Sequence, residues 1–162
     1  MSNANEILER LKEIPWFSEM EPEFLEKIAG ISHLRRFKAG EVFFHEGDKQ
    51  DYFYVVLEGR VALDMFIPHR GKVRFYTAEA WDVFGWSSVT PIVRQRTAGA
   101  VAVVAGAVIG TDAEQLRLLC NEDHDLGYLV MTRLANVVAS RLMVTRLQLL
   151  DMFAEPMETP ND

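Results

Sequence analysis

Tyr52-Phe53-Tyr54-Val55-Val56-Leu57-Glu58-Gly59-Arg60-Val61 decides how this chain is read. Tyr52–Leu57 is rich in aromatic and β-branched residues, which favour a pleated strand, and Glu58-Gly59-Arg60 supplies a turn signal. The same grammar extends on both sides. Lys38-Ala39-Gly40-Glu41, Glu46-Gly47-Asp48 and His69-Arg70-Gly71-Lys72 are further turn signals. Between them lie the apolar runs Val42–Phe44, Val61–Ile67 and Val73–Thr77, and later Thr97–Val104 and Ala107–Thr111. Many short strands punctuated by glycine predict a β-sandwich or barrel. No internal repeat is apparent.

Helical signals flank this β region. Ile7, Leu8 and Leu11 fall at helical spacing between Glu6 and Lys12, and Pro15 ends that helix. Glu21-Pro22-Glu23 is a helix start, Phe24, Leu25 and Ile28 form its apolar stripe, and Gly30 closes it. Thr111-Asp112-Ala113-Glu114-Gln115 contains two overlapping capping boxes ahead of Leu116, Leu118 and Leu119. A further helix is expected from about Asp123 to Phe153, far longer than the usual globular helix. Tyr128, Met131, Ala135, Val138, Leu142, Thr145, Leu149 and Met152 alternate steps of three and four along it, the seam of a coiled coil. Leu126, Val130, Leu134 and Val137 occupy another face. One stripe can cover the β region while the other meets a partner helix, so a parallel homodimer through Tyr128 to Met152 is expected. The arrangement is a single domain over 1–153: helices in 1–30, β strands in 31–111, helices in 112–153. Residues 154–162, with two prolines and three acids, read as a disordered tail.

Composition narrows the function. The 162 residues are 49% hydrophobic and 25% charged, ordinary for a globular domain, with a formal charge of −7. That balance argues against nucleic acid, whose phosphates need clustered Lys and Arg. The longest apolar stretch, Ala98–Gly110, is too short to span a bilayer, and no secretion signal opens the chain. The single Cys120 cannot form an internal disulfide, fits a reducing compartment, and reads as a small buried apolar side chain rather than a nucleophile. A cytoplasmic protein is expected.

The stretch best suited to a ligand is Gly85-Trp86-Ser87-Ser88-Val89-Thr90, followed by Arg96-Thr97-Ala98. Backbone N–H groups at the start of a helical turn point at an anion, and a nearby guanidinium adds a fork of donors. Enzyme patterns are weak. His45 and Glu58 imitate part of a cupin metal motif, but Gly47 stands where its second histidine belongs, and His33, His69 and His124 are scattered. No nucleophile elbow, zincin or P-loop pattern is present. Asp48, Asp51 and Glu58 read as turn-formers rather than an acid/base pair.

The order of elements resembles the cyclic-nucleotide-binding domain family, including catabolite-activator-type regulators. Its landmarks here are Pro15-Trp16-Phe17, Ala39-Gly40-Glu41-Val42-Phe43-Phe44, Glu46-Gly47-Asp48 and the run from Tyr52 to Val61. The resemblance implies an α+β, mainly β fold: a double-stranded β-helix, a jelly-roll-like β-roll, with short N-terminal helices and a long C-terminal dimerisation helix. It implies a non-enzymatic sensor binding a cyclic nucleotide, cAMP or cGMP, or another phosphate-bearing ligand, with no other cofactor. Gly85 matches the glycine of the family's phosphate cassette, Arg96 its phosphate-pairing arginine and Thr97 the small residue after it; Ser87 and Ser88 complete the turn. Where the family places a glutamate that accepts the ribose 2′-hydroxyl, this chain has Trp86, whose indole donates a hydrogen bond but accepts none. Losing such a bond costs about 1.5–3 kcal/mol, about ten- to a hundredfold in affinity. Trp86 can stack on a different ligand or plug the pocket, leaving a dimerisation or interaction module as the alternative. A cupin-type enzyme is the third reading. Thr145 falls at the position of a base-contacting threonine on the long helix, and Arg146 replaces the serine beside it. Because nine residues follow Phe153, the expectation is a sensor without the DNA-binding domain of transcriptional relatives, signalling through its dimer helix or a downstream protein partner.

Overall fold

The computed structural model describes residues 3–90 and 92–154; the expected disorder of the tail falls, from residue 155 on, outside the described residues. Two helices, α1 (Asn3–Glu13) and α2 (Pro22–Gly30), flank a 3₁₀ turn at Pro15–Phe17. Six strands follow: β1 (Ser32–Phe37), β2 (Val42–Phe44), β3 (Tyr52–Ile67), β4 (Gly71–Ala78), β5 (Val83–Phe84) and β6 (Gly99–Asp112). A second 3₁₀ turn, Trp86–Val89, lies between β5 and β6, and α3 (Ala113–Glu122) and α4 (His124–Phe153) complete the chain. The strands form one antiparallel sheet along the path β1–β6–β3–β4, with β2 also on β6 and β5 also on β3. This is the mainly β, helix-flanked roll that the sequence predicts, and its strands do not close into a barrel.

Glu58-Gly59-Arg60 does not form the predicted turn. It sits inside β3, which continues through it with a break of register against β6. The two predicted runs Thr97–Val104 and Ala107–Thr111 are likewise one strand, β6, which starts at Gly99. The irregularities coincide: Glu58 faces Ala107 and Arg60 faces Val104. Gly59 holds φ at 84°, where a Cβ would lie 2.6 Å from the carbonyl oxygens of Val104 and Ala105. Across the pair, a side chain on Gly106 would collide with the Glu58 carbonyl. A bulge at this level bends both strands together instead of reversing either. Strand β1 is absent from the sequence reading. Its Ser-His-Leu-Arg-Arg-Phe carries three basic or ionisable side chains, yet it pairs residue for residue with β6 from Ser32↔Thr111 to Phe37↔Gly106.

The bend gives β3 two buried faces. Tyr54 and Val56 point into a cluster with Phe37, Phe44, Val61 and Phe84, enclosed within the roll. Phe53 and Val55 point the other way, into a second cluster with Ile7, Leu11, Trp16 and Phe17 from the N-terminal segment and Leu116, Leu126, Val130 and Leu134 from the C-terminal helices. Period-two alternation between two apolar environments is why this strand is uniformly hydrophobic. The helix signals hold. Asp112 caps α3 by accepting from Gln115 N–H, and Asp123 caps α4 by accepting from Leu126 N–H while Lys27 contacts its other oxygen. The stripe Leu126, Val130, Leu134 covers the roll as expected; beyond it Met143, Leu147, Leu150, Met152 and Phe153 are exposed. Cys120 is partly buried against the helical cluster, and burial raises its thiol above the ordinary range.

Gly106→Ala tests the paired bend. Forcing a methyl group against the Glu58 backbone should cost about 1–3 kcal/mol in urea unfolding. Unchanged stability would show that the strands do not approach this closely.

Candidate functional site

Strand β5 delivers the chain from Val83 and Phe84, paired with Val55 and Tyr54, to Gly85. Gly85 is left-handed at φ 68°, and a Cβ there would lie 2.7 Å from Arg96 Nη1 and 3.0 Å from the Tyr52 carbonyl. Only glycine lets the chain turn this close to a guanidinium. The 3₁₀ turn that follows is tied by its own hydroxyls. Ser88 Oγ donates to the Gly85 carbonyl at 2.6 Å, Thr90 Oγ1 to the Ser87 carbonyl at 2.7 Å, and Ser87 Oγ to Gln50 Oε1 at 2.8 Å. Arg117 of α3 donates to the Ser88 carbonyl, joining the turn to the C-terminal helices.

Arg96 is held by the Glu46-Gly47-Asp48 turn: its N–H donates to the Asp48 carbonyl and its carbonyl accepts from Gly47 N–H, each at 2.8 Å. Its side chain is 1% exposed. Nη2 donates to Asp51 Oδ1 at 2.7 Å and to the Tyr52 carbonyl at 2.8 Å, Nη1 donates to the Gly85 carbonyl at 3.2 Å, and the guanidinium lies 3.9 Å from the centre of the Phe44 ring. Burial lowers its pKa, and the Asp51 carboxylate opposes that shift. Asp51, expected to be a turn-former, is the acid that makes burial of Arg96 tolerable. One nitrogen is left over: Arg96 Nε is buried without an acceptor among the described residues.

These elements form one wall of a cavity of about 410 Å³ between the roll and α4. Gly85, Trp86, Ser87, Arg96 and Thr97 line one side, and Thr145 lines the helix side. Ser88 does not reach it, because that side chain is turned into its own turn and buried. Trp86 packs on the helical core cluster and stands in the wall, and the cavity persists beside it. Phe44, Leu63, Met65, Phe75 and Tyr76 make up the strand side. From α4 come Val138, Leu142 and Val144, with the polar Arg141 and Gln148. Three members of the expected coiled-coil seam, Val138, Leu142 and Thr145, therefore face the cavity.

Arg141 is the residue that sequence reasoning left without a role. Its guanidinium lies 3.2 Å from the centre of the Tyr76 ring and Nη2 donates to the Val83 carbonyl at 2.8 Å. Tyr76 is itself fixed by its hydroxyl donating to Asp82 at 3.0 Å. Nη1 is buried without an acceptor among the described residues, and burial alone pushes the group down to about 10, with no acid offsetting it. The available signal was spacing: Arg141 lies four residues before Thr145, on the same helix face, and the Thr145 hydroxyl donates to the Arg141 carbonyl at 2.9 Å. The cavity thus holds two guanidinium groups, one neutralised by Asp51 and one not, and no carboxylate lines it.

The cyclic nucleotide-binding domain family model matches residues 34–123, more than half of the chain. The chain belongs to the cyclic nucleotide-binding domain family. The matched span runs from β1 to the cap of α4, and the structure extends the likeness. A protein from Geobacter metallireducens GS-15, provisionally classed as cyclic nucleotide-binding, is 29% identical with a TM-score of 0.73, over 88% of this chain and 98% of its own. The Thermus thermophilus catabolite activator protein is 25% identical (TM-score 0.68) over 86% of this chain and 62% of its own. The sensor domain of the transcriptional regulator DNR from Pseudomonas aeruginosa shares the fold at 19% identity, with a TM-score of 0.67 and full coverage of both chains. A comparison with curated proteins gave no match. Within the cyclic nucleotide-binding domain family this is the fold of regulatory ligand-binding domains. No helix among the described residues is long and apolar enough to cross a membrane.

A buried guanidinium without an acid is a stability cost at neutral pH. The pKa of Arg141 is depressed on folding, so the unfolded chain binds more protons between about pH 10 and the group's ordinary value, and the penalty is relieved as pH rises through that window. Arg141→Met, of similar length and apolar, should melt no lower than wild type at pH 7 without ligand. A clear drop in melting temperature would mean that the Tyr76 and Val83 contacts outweigh desolvation.

Proposed function

We propose that this chain is a non-enzymatic sensor domain that binds a small anion, a cyclic nucleotide or another phosphate-bearing ligand, in the cavity between the roll and α4. The observation that carries the reading is Arg96, a buried residue of the cavity lining whose Nε donor lacks an acceptor among the described residues. An unpaired buried donor costs about 1–3 kcal/mol, and a ligand oxygen would remove that cost. Gly85, Ser87 and Thr97 would border the anion, and Trp86 would offer a ring face to the rest of the ligand. With Arg96 already half of an ion pair, the net charge facing the ligand is close to one positive unit, which suits a monoanion such as a cyclic phosphodiester. The cavity beside Trp86 favours a ligand site over a pocket plugged by the indole.

The ligand would act through α4. That helix contributes Val138, Arg141, Leu142 and Thr145 to the cavity, so a ligand touching both walls has different affinity for different helix positions. Helix α4 would form a homodimer, since Tyr128 near its start and Leu149 and Met152 near its end, all of the coiled-coil seam, are 72%, 51% and 74% exposed. A downstream protein partner would then read the helix pair, and neither DNA nor a membrane is required.

Thermal denaturation with cAMP, cGMP and cyclic dinucleotides tests the ligand. Saturation at a hundred times Kd adds about 2.7 kcal/mol of stability to the wild type, and Arg96→Lys, which keeps the charge but loses the fork, should shift less. A panel that leaves the melting temperature unmoved would rule out a cyclic nucleotide. Sedimentation at micromolar concentration should give a dimer that Leu149→Glu with Met152→Glu converts to monomer; a wild-type monomer would refute the interface.

A further inference from the structure

The two cations of the cavity differ in what remains for a ligand. Arg96 has an acid at 2.7 Å and two carbonyls on its Nη atoms, leaving little net charge to attract an anion. Arg141 has no acid, one carbonyl, a ring beneath it and an unpartnered Nη1. Its contacts with Tyr76 and Val83 fix the guanidinium in place, so an anion binding there need not order it.

The rest of the lining says which ligand groups would find no charged partner. Sugar and base hydroxyls or amines are donors, and a buried donor needs an acceptor. Among the lining residues the acidic acceptors are absent. Trp86 contributes only a donor, and the side-chain acceptors on the wall are the neutral oxygens of Ser87, Thr97, Thr145 and Gln148. What remains is mostly ring and aliphatic surface from Phe44, Leu63, Phe75, Val138 and Leu142. Such a wall favours a ligand that buries hydrocarbon and presents acceptor oxygens at one end.

Resting on the ligand-site reading above and narrowing it, we infer that the cavity is built for an amphiphilic oxyanion. Its carboxylate or phosphate pairs with Arg141, its body is aromatic or aliphatic, and its sugar hydroxyl, if it has one, meets no charged acceptor. Arg141 is then the specificity-determining cation, and because it stands on α4, anion binding acts directly on the helix. Neutralising it also offsets the desolvation that holds its pKa down, so ligand binding and helix position share one charge.

Calorimetric titration with 2-naphthoate, 2-naphthyl phosphate, neutral 2-naphthylmethanol, cAMP and 2′-deoxy-cAMP tests this on the full chain. At least one naphthyl anion should bind, the neutral alcohol at least tenfold more weakly; the better of the two anions identifies the acid group. Arg141→Gln should lose at least tenfold of the anion affinity and Arg141→Lys should retain most of it, which separates charge from folding. Removing the 2′-hydroxyl should leave any cAMP affinity within about threefold, well short of the loss expected when a charged acceptor reads it. If cAMP binds, the naphthyl anions do not, and the 2′-deoxy analogue is weaker, this inference falls while the sensor reading stands. Equal anion binding by Arg141→Gln also overturns it. If no probe of either class binds, both readings fall.

Discussion

Strands β3 and β6 cross at van der Waals contact around Gly59 and Gly106, and the rest of the molecule follows from that approach. Two long antiparallel strands held in a straight ladder would present two flat faces, with nothing enclosed between their halves. A shared irregularity at Glu58–Arg60 and Val104–Ala107 bends both together. The first half of β3 then faces the second across the cluster of Tyr54, Val56, Val61 and Phe84. The outer face of the same half, Phe53 and Val55, is left for the helices. Because burial of these faces is the main favourable term, the position of a single glycine pair decides where the core lies.

Arg96 is the second constraint, and it is electrostatic. A guanidinium that is 1% exposed persists because Asp51, two carbonyls and the Phe44 face surround it. Those partners come from β2, from the turn before β3 and from the end of β5, so the ion pair ties together segments that are far apart in sequence. The turn before Asp51 holds the arginine's own backbone. The same side chain lines the cavity: its Nη edge holds the roll, and its Nε is buried without an acceptor among the described residues.

Helix α4 belongs both to the core and to the cavity. Its first turns are fastened to the core by Leu126, Val130 and Leu134, and its middle turns form a cavity wall through Val138, Arg141, Leu142 and Thr145. Fastened at one end and bordering the cavity further on, one helix spans both parts of the molecule. No carboxylate lines this wall, and Arg141 has no acid beside it to offset its burial.

Much of this was legible in the residues. Caps at Asp112 and Asp123, the stripe Leu126, Val130, Leu134, the strand run from Tyr52 and the glycine turn before Trp86 are short-range features, set by backbone sterics, capping geometry and periodicity, and they read correctly. The strand breaks at Gly59 and Gly106 were misread because a glycine that ends a strand and one that bends it look alike until the opposing backbone is known. Strand β1 was hidden by its charges, which edge position tolerates. The pairing of Asp51 with Arg96 and the unpaired state of Arg141 could not be read at all. They join residues 45 and 58 positions from their partners Asp51 and Val83, and electrostatic energy depends on distance and burial, not on order along the chain. The sequence by itself determined the roll, its helices and the glycine turn before Trp86; tertiary structure alone decided which buried cation is neutralised and which has no acid beside it.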